Sequence, residues 1–165
     1  GFYNRDKRAV EDFLLSYRNR YFHRQTSHRA FFVQLEAVLS ENLAGHRQVV
    51  LGGETGARAF ESRFQVGDAR LLLALEERIY TDIHLLNLFR IGGAVFADVG
   101  RTWSETHNTG SEEAWLADVG FGLRLASSKA ASDQIAHLDI AFPMSNQGDP
   151  AVNSVLISFT IKGRF

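Results

Sequence analysis

Val155-Leu156-Ile157-Ser158-Phe159-Thr160-Ile161-Lys162-Gly163-Arg164-Phe165 closes the chain with a simple alternation. Val155, Ile157, Phe159, Ile161 and Phe165 fall on one face, while Ser158, Thr160, Lys162 and Arg164 fall on the other. A period of 2 belongs to a β-strand with one apolar and one polar face. The same period recurs upstream. In 136–142, His137 and Asp139 oppose Leu138, Ile140 and Phe142. In 115–126, Trp115, Ala117, Val119, Phe121, Leu123 and Leu125 oppose Asp118, Gly120, Gly122 and Arg124. Residues 91–100 and 68–80 alternate too, with Glu77 on the apolar face of the latter. Phe31, Val33, Leu35, Ala37 and Leu39 mark a further strand, and 12–22 a weaker one, giving seven in all. One helical competitor is 69–80, whose Ala, Leu, Glu and Arg are good helix formers.

The connections alternate between shorter turns (23–28, 127–134, and an intermediate 81–90) and longer polar or Gly-rich loops (41–67, 101–114, 144–152). Membrane barrels are built this way, with short turns on the periplasmic side and long loops outside. The alternating runs cover about 9–13 residues, near the ~9–11 that cross a bilayer at a tilt. Strands of soluble sandwiches are more often ~5–6 residues. Trp and Tyr near strand ends (Tyr80, Trp103, Trp115) fit interfacial girdles. Alternation alone also fits a soluble β-sandwich used as a binding module.

Composition narrows the classes. The formal net charge is −1, from 18 Lys+Arg and 19 Asp+Glu, so no global field gathers nucleic acid. There is no cysteine, which removes disulfides, thiolate metal sites and cysteine nucleophiles. No apolar stretch approaches the ~18 residues of a membrane helix. His23, His28, His46, His84, His107 and His137 lack metal-ligand spacing, so no metal is expected. Gly52-Gly53-Glu54-Thr55-Gly56 lacks the Lys-Ser/Thr of a phosphate loop and reads as turn glycines, and no Gly-x-Ser-x-Gly elbow occurs. The expectation is a protein without cofactor and without catalysis.

Four motifs stand in order: Leu51-Gly52-Gly53 leading to Arg58-Ala59-Phe60, then Leu75-Glu76-Glu77-Arg78, then Phe96-Ala97-Asp98-Val99-Gly100, then the terminal aromatic strand. Together they resemble the BamA/TamA superfamily of outer-membrane insertases and translocators, also called the bacterial surface antigen family. The resemblance spans about 12–165. It departs at Ala59, where the family usually has Gly, which bears on the loop turn and leaves Arg58 and Phe60 in register. It implies an all-β, antiparallel transmembrane β-barrel in which residues 1–165 supply the C-terminal half, about seven to eight of sixteen strands. It implies that the long loop of about 41–67 folds back into the lumen, where Arg58, Phe60, Glu76, Arg78 and Asp98 lock it, with Gly52, Gly53 and Gly56 as loop glycines. Phe159, Ile161 and Phe165 would form the C-terminal signal read by the assembly machinery of the Gram-negative outer membrane. The implied activity is non-enzymatic insertion or secretion of client proteins. The alternative is a passive pore, or a membrane anchor for a missing passenger such as a patatin-like lipase. Implied partners are outer-membrane lipid, client proteins, and upstream strands or a second copy that close the barrel.

The residues themselves are compatible with the lock that the resemblance implies. Glu76 and Arg78 share the polar face of their strand, and Asp98 the polar face of the next. If Glu76 faces Phe96, Asp98 faces Ala74 and lies diagonal to Glu76 at roughly 7–8 Å. Two carboxylates that close in a partly dry lumen want a cation, and the fork of Arg58 suits them. The competing reading is a glycosidase-like acid and base pair at the same positions. On the polar faces, Arg18, Arg20, Arg124, Lys162 and Arg164 read as a hydrated lumen wall or as help in passing polar clients.

Overall fold

A computed structural model describes residues 2–4, 9–11, 13–41, 48–85, 89–104, 114–127 and 134–163. Its elements are β1 (Phe2–Asn4), β2 (Ala9–Glu11), β3 (Phe13–Arg24), β4 (Arg29–Glu41), β5 (Val49–Leu51), a 3-10 turn (Gly53–Thr55), β6 (Gln65–Gly67), β7 (Ala69–Leu85), β8 (Phe89–Trp103), β9 (Leu116–Ser127), β10 (Gln134–Pro143) and β11 (Leu156–Gly163). The fold is all-β. The seven alternating runs are the seven strands of one antiparallel sheet, ordered β11-β10-β9-β8-β7-β4-β3. Each strand pairs with its predecessor in the sheet, and among the described residues the β4–β7 connection is the one that carries strands of its own. That connection holds the small β5–β6 hairpin, and β1–β2 form a separate pair.

Residues 69–80 are strand and not helix. Leu71, Leu73 and Leu75 line one face of β7 while Leu72, Ala74, Glu76 and Arg78 line the other. Every residue from Ala69 to Ile79 is paired on both sides, to β4 and to β8. Two flanking ladders override the helix propensity of the segment. β7 and β8 also run past the expected boundaries: pairing resumes at His84↔Arg90 after an irregularity between Tyr80 and His84. Most of the 81–90 connection is therefore strand. The β7–β8 register carries Ala74↔Asp98 and Glu76↔Phe96, one of the registers that parity allows.

Burial is inverted relative to a water-soluble sheet. Val95, Phe121, Ile157, Phe159 and Ile161 are 50–66% exposed, whereas Asp98, Asp118, Arg124, His137 and Asp139 are at most 3% exposed. The apolar face is open and the polar face is covered. What covers it is the β4–β7 connection. Leu51, Ala57, Ala59 and Phe60 pack with Leu72, Phe96, Leu116 and Ala141 from the sheet, and Phe64 and Val152 lie against them. Residues 48–67 thus fold back onto the polar face as a seated unit.

On the open face, Glu77 sits among apolar neighbours with Arg29 at 3.0 Å and Gln25 at 3.4 Å. The ion pair at the end of the strand offsets the carboxylate's misplacement. Trp103 and Trp115 meet edge to face at 5.9 Å where β8 leaves and β9 enters the sheet.

Candidate functional site

The β4–β7 connection turns sharply twice before it reaches the sheet. Gly52 has φ +123° and Gly56 φ +112°, and Gly53 adopts +60°. A Cβ on Gly52 would stand 2.2 Å from the Glu61 carbonyl oxygen, and one on Gly56 2.4 Å from Leu72 Cδ2. Conformation and space both demand glycine there. The Gly53 N–H donates to the Phe60 carbonyl at 2.9 Å, and Gly52 N–H to Gly56 at 3.0 Å, which closes the segment on itself. Ala57, wholly buried, takes φ +58°, a left-handed conformation that costs a non-glycine residue about 1–2 kcal/mol. Packing around Ala57 holds that strain, and it aims the next residue into the sheet. Ala59 is not among the described residues with positive φ, so the alanine found where the family usually has glycine fits its backbone.

Arg58 enters the polar face and its guanidinium is bound on several sides. Nε donates to Asp98 Oδ2 at 2.8 Å and Nη2 to Asp98 Oδ1 at 3.1 Å, a two-pronged pair. Nη1 donates to Glu76 Oε2 at 2.8 Å and to Asp139 Oδ2 at 3.3 Å. The plane lies over the Phe96 ring, with Cζ 3.6 Å from its centroid. Beside it, the Ala59 N–H donates to Asp118 Oδ2 at 3.3 Å. Asp118 faces Asp98 directly across the β8–β9 ladder. Two carboxyl groups so placed are unfavourable by themselves; the Arg58 fork serves Asp98, and the Ala59 amide serves one oxygen of Asp118 while the other is buried without a hydrogen-bond donor.

Two further arginines complete the cluster. Arg78 Nε donates to Glu76 Oε1 at 2.6 Å. Arg124, wholly buried, donates Nε to Glu76 Oε1 at 3.1 Å and pairs closely with Asp139 through Nη1. Three guanidinium groups therefore interlock with Glu76, Asp98 and Asp139, with Asp118 alongside. Buried charges persist only when paired and hydrogen-bonded in this way.

A second node ties the connection down. Glu36 accepts Arg18 Nε at 3.0 Å and Nη2 at 3.1 Å, and it also pairs closely with Arg70. Arg70 Nη1 reaches back to the Val50 carbonyl at 2.5 Å. A cavity of about 290 Å3 lies between the two nodes.

Among the expected lock residues, Arg58, Glu76, Arg78 and Asp98 come together. Phe60 takes a different place: it is buried in the apolar cluster, tilted against Phe64 with ring centroids 5.1 Å apart. Phe159 and Ile161 project from the open face of β11, and Phe165 lies outside the described residues. Arg124 does not line a hydrated wall, and Asp139 and Asp118 join the cluster unanticipated. Their signal was their place on the polar faces of 115–126 and 136–142. Both carboxylates of the acid–base alternative, Glu76 and Asp98, are engaged by guanidinium groups. Among the described residues no group of three or more His, Asp or Glu is arranged to hold a metal ion. His46 and His107 lie outside the described residues. No protein-family model, no curated protein and no solved structure matches this chain.

Proposed function

We propose that the chain is the C-terminal, seven-stranded portion of a bacterial outer-membrane β-barrel of the insertase or translocator type. The observation that carries this reading is the inverted burial. A sheet that leaves Ile157, Phe159 and Ile161 open while enclosing Arg124 and Asp139 is matched to a solvent less polar than its own interior. Lipid is that solvent. The alternation of short and long connections supports an orientation in which the ends that join β3 to β4, β7 to β8 and β9 to β10 lie on the periplasmic side.

The ordered motifs and the seated Arg58 support the insertase and translocator class over other barrels. In the mechanism we infer, the Arg58 cluster keeps the middle of the sheet rigid while the strands at its borders exchange partners. A strand edge in lipid must find hydrogen-bond partners, so a border strand that loosens can accept a client strand. The chemistry is backbone pairing, with no covalent step. The terminal strand, with Phe159 and Ile161 outward, is the segment that assembly machinery would read.

The test is in two stages. The chain is refolded into vesicles of brominated lipid, where fluorescence of Trp103 and Trp115 should be quenched. A monomer that stays in water with unquenched tryptophans would support the soluble sandwich instead. Vesicles carrying the protein are then offered an unfolded outer-membrane barrel. Faster folding of that client than into empty vesicles supports insertion. Ion leakage with no acceleration supports the passive pore or anchor.

A further inference from the structure

A second cavity, of about 350 Å3, opens on the polar face at the short-turn end, where β3, β4, β7, β8, β9 and β10 converge. Its charged lining has one sign. Arg24, Arg29, Arg78 and Arg90 line it with His28 and His84, and no Asp or Glu is among its described lining residues. The cavity beside Arg58 differs, for there Glu36, Glu54, Glu76 and Asp98 alternate with the arginines. Carboxylates outside the described lining pair with several of these cations. Glu76 takes Arg78 at 2.6 Å, Glu77 takes Arg29 at 3.0 Å, and Asp82 takes His28 at 2.9 Å and Arg90 at 3.5 Å. Arg24 donates to the carbonyl oxygens of Thr26 at 3.2 Å and Ser27 at 3.5 Å. Phe22, Ala30, Ala126 and Ile135 give the wall an apolar part, and Thr26, Ser27 and Ser127 a polar, uncharged one. The Tyr80 ring lies 5.7 Å from Arg90 Cζ.

We propose that this cavity binds an acidic peptide segment, with carboxylate side chains taken by Arg24 and Arg90 and neighbouring apolar side chains laid on Phe22 and Ile135. Guanidinium forks recognise carboxylates and phosphates alike, so the apolar wall decides between them. An inorganic phosphate would use the arginines and leave that wall empty. The volume matches sites that enclose several groups, about 300 Å3 and upward. A lipid headgroup would approach along the open face, and the cavity lies on the opposite one. That the segment belongs to a client arriving from the periplasmic side rests on the function proposed above; the binding itself does not.

The full chain, refolded in zwitterionic detergent micelles, is titrated with a labelled peptide in which Glu alternates with Leu, and with its counterpart carrying Gln for Glu. The Glu peptide should bind at least tenfold more tightly, and added salt should weaken it. Arg24→Gln and Arg90→Gln should each weaken it about tenfold, the scale of one charge-assisted hydrogen bond. Arg20→Gln, at the other cavity, should leave it unchanged. Equal affinity for the two peptides, or full affinity in both variants, overturns the proposal. So does displacement of the Glu peptide by inorganic phosphate at equal concentration, which would make the site a phosphate site. Because the titration is run in micelles, failure to enter vesicles leaves its result standing, and failure here leaves the barrel reading standing.

Discussion

At the scale of single residues, Arg58 is the side chain whose loss should be felt furthest. Its side chain is 13% exposed and that of Asp98 1%, so the pair lies nearer the buried limit than the surface one. An exposed pair would be worth about 0–1 kcal/mol. Removing one partner of a buried pair costs about 3–5 kcal/mol, because the other charge is stranded. Arg58→Ala should therefore loosen the β4–β7 connection and lower stability by about 3 kcal/mol while the strands survive. Asp98→Asn should act in the same direction, and the double mutant should fall short of the sum. The readouts are heat-modifiability and proteolysis of the connection; strictly additive effects would mean that the two are not partners. Gly122→Ala tests the other half of the cluster. Its Cβ would stand 2.0 Å from Asp139 Oδ1 and 2.6 Å from the Leu138 carbonyl, so backbone must move. A loss of about 1–3 kcal/mol in denaturant unfolding is expected, typical of overpacking. A neutral substitution would contradict the tight fit. How the site was readable follows from the same residues. Glu76 and Asp98 could be joined from parity, because β7 and β8 are adjacent and share a polar face, and Arg58 was added to them by the resemblance of its motif. Asp139 and Arg124 could not, because which polar-face residues meet depends on how far the connection travels across the sheet. Period 2 says nothing about that path.

At the scale of elements, β11 offers the most direct test of facing. Phe159 and Thr160 are neighbours in sequence on opposite faces. Phe159→Lys should cost about 2–4 kcal/mol in a bilayer, and Thr160→Lys little. Spin labels walked along 155–161 should show oxygen accessibility rising and falling with a two-residue period; a flat profile would contradict the assignment. All seven long strands were legible, because each keeps one apolar face over many residues. The β5–β6 hairpin was not. Val49–Leu51 and Gln65–Gly67 are three residues each, too short for alternation to register. What seats them is tertiary: Gln65 Oε1 accepts the Thr102 N–H at 3.0 Å, and Gln65 Nε2 donates to the Ala114 carbonyl at 2.8 Å. The ends of β7 and β8 were also missed, since the polar pair Thr81-Asp82 imitates a turn while the strand continues through a local irregularity.

At the scale of the whole molecule, the seven-stranded sheet ends on β3 at one side and β11 at the other. In lipid, two open edges leave rows of unpaired N–H and C=O groups, which a bilayer does not tolerate. The 165-residue chain alone should therefore appear in native mass spectrometry from mild detergent as a dimer or higher species, and upstream strands supplied in trans should restore a closed form. A stable, heat-modifiable monomer of this chain would show that it closes by itself. The reach of Arg58 has one more consequence. It touches β7 through Glu76, β8 through Asp98 and β10 through Asp139, the last from 81 residues away, while its neighbour Ala59 touches β9 through Asp118. A one-residue slip of any of these strands turns its carboxylate to the other face. Arg58 and Ala59 together thus act as a coincidence detector: the pair docks fully only when four strands are simultaneously in step, which would make its seating a late event in assembly and a built-in proofreading of the sheet.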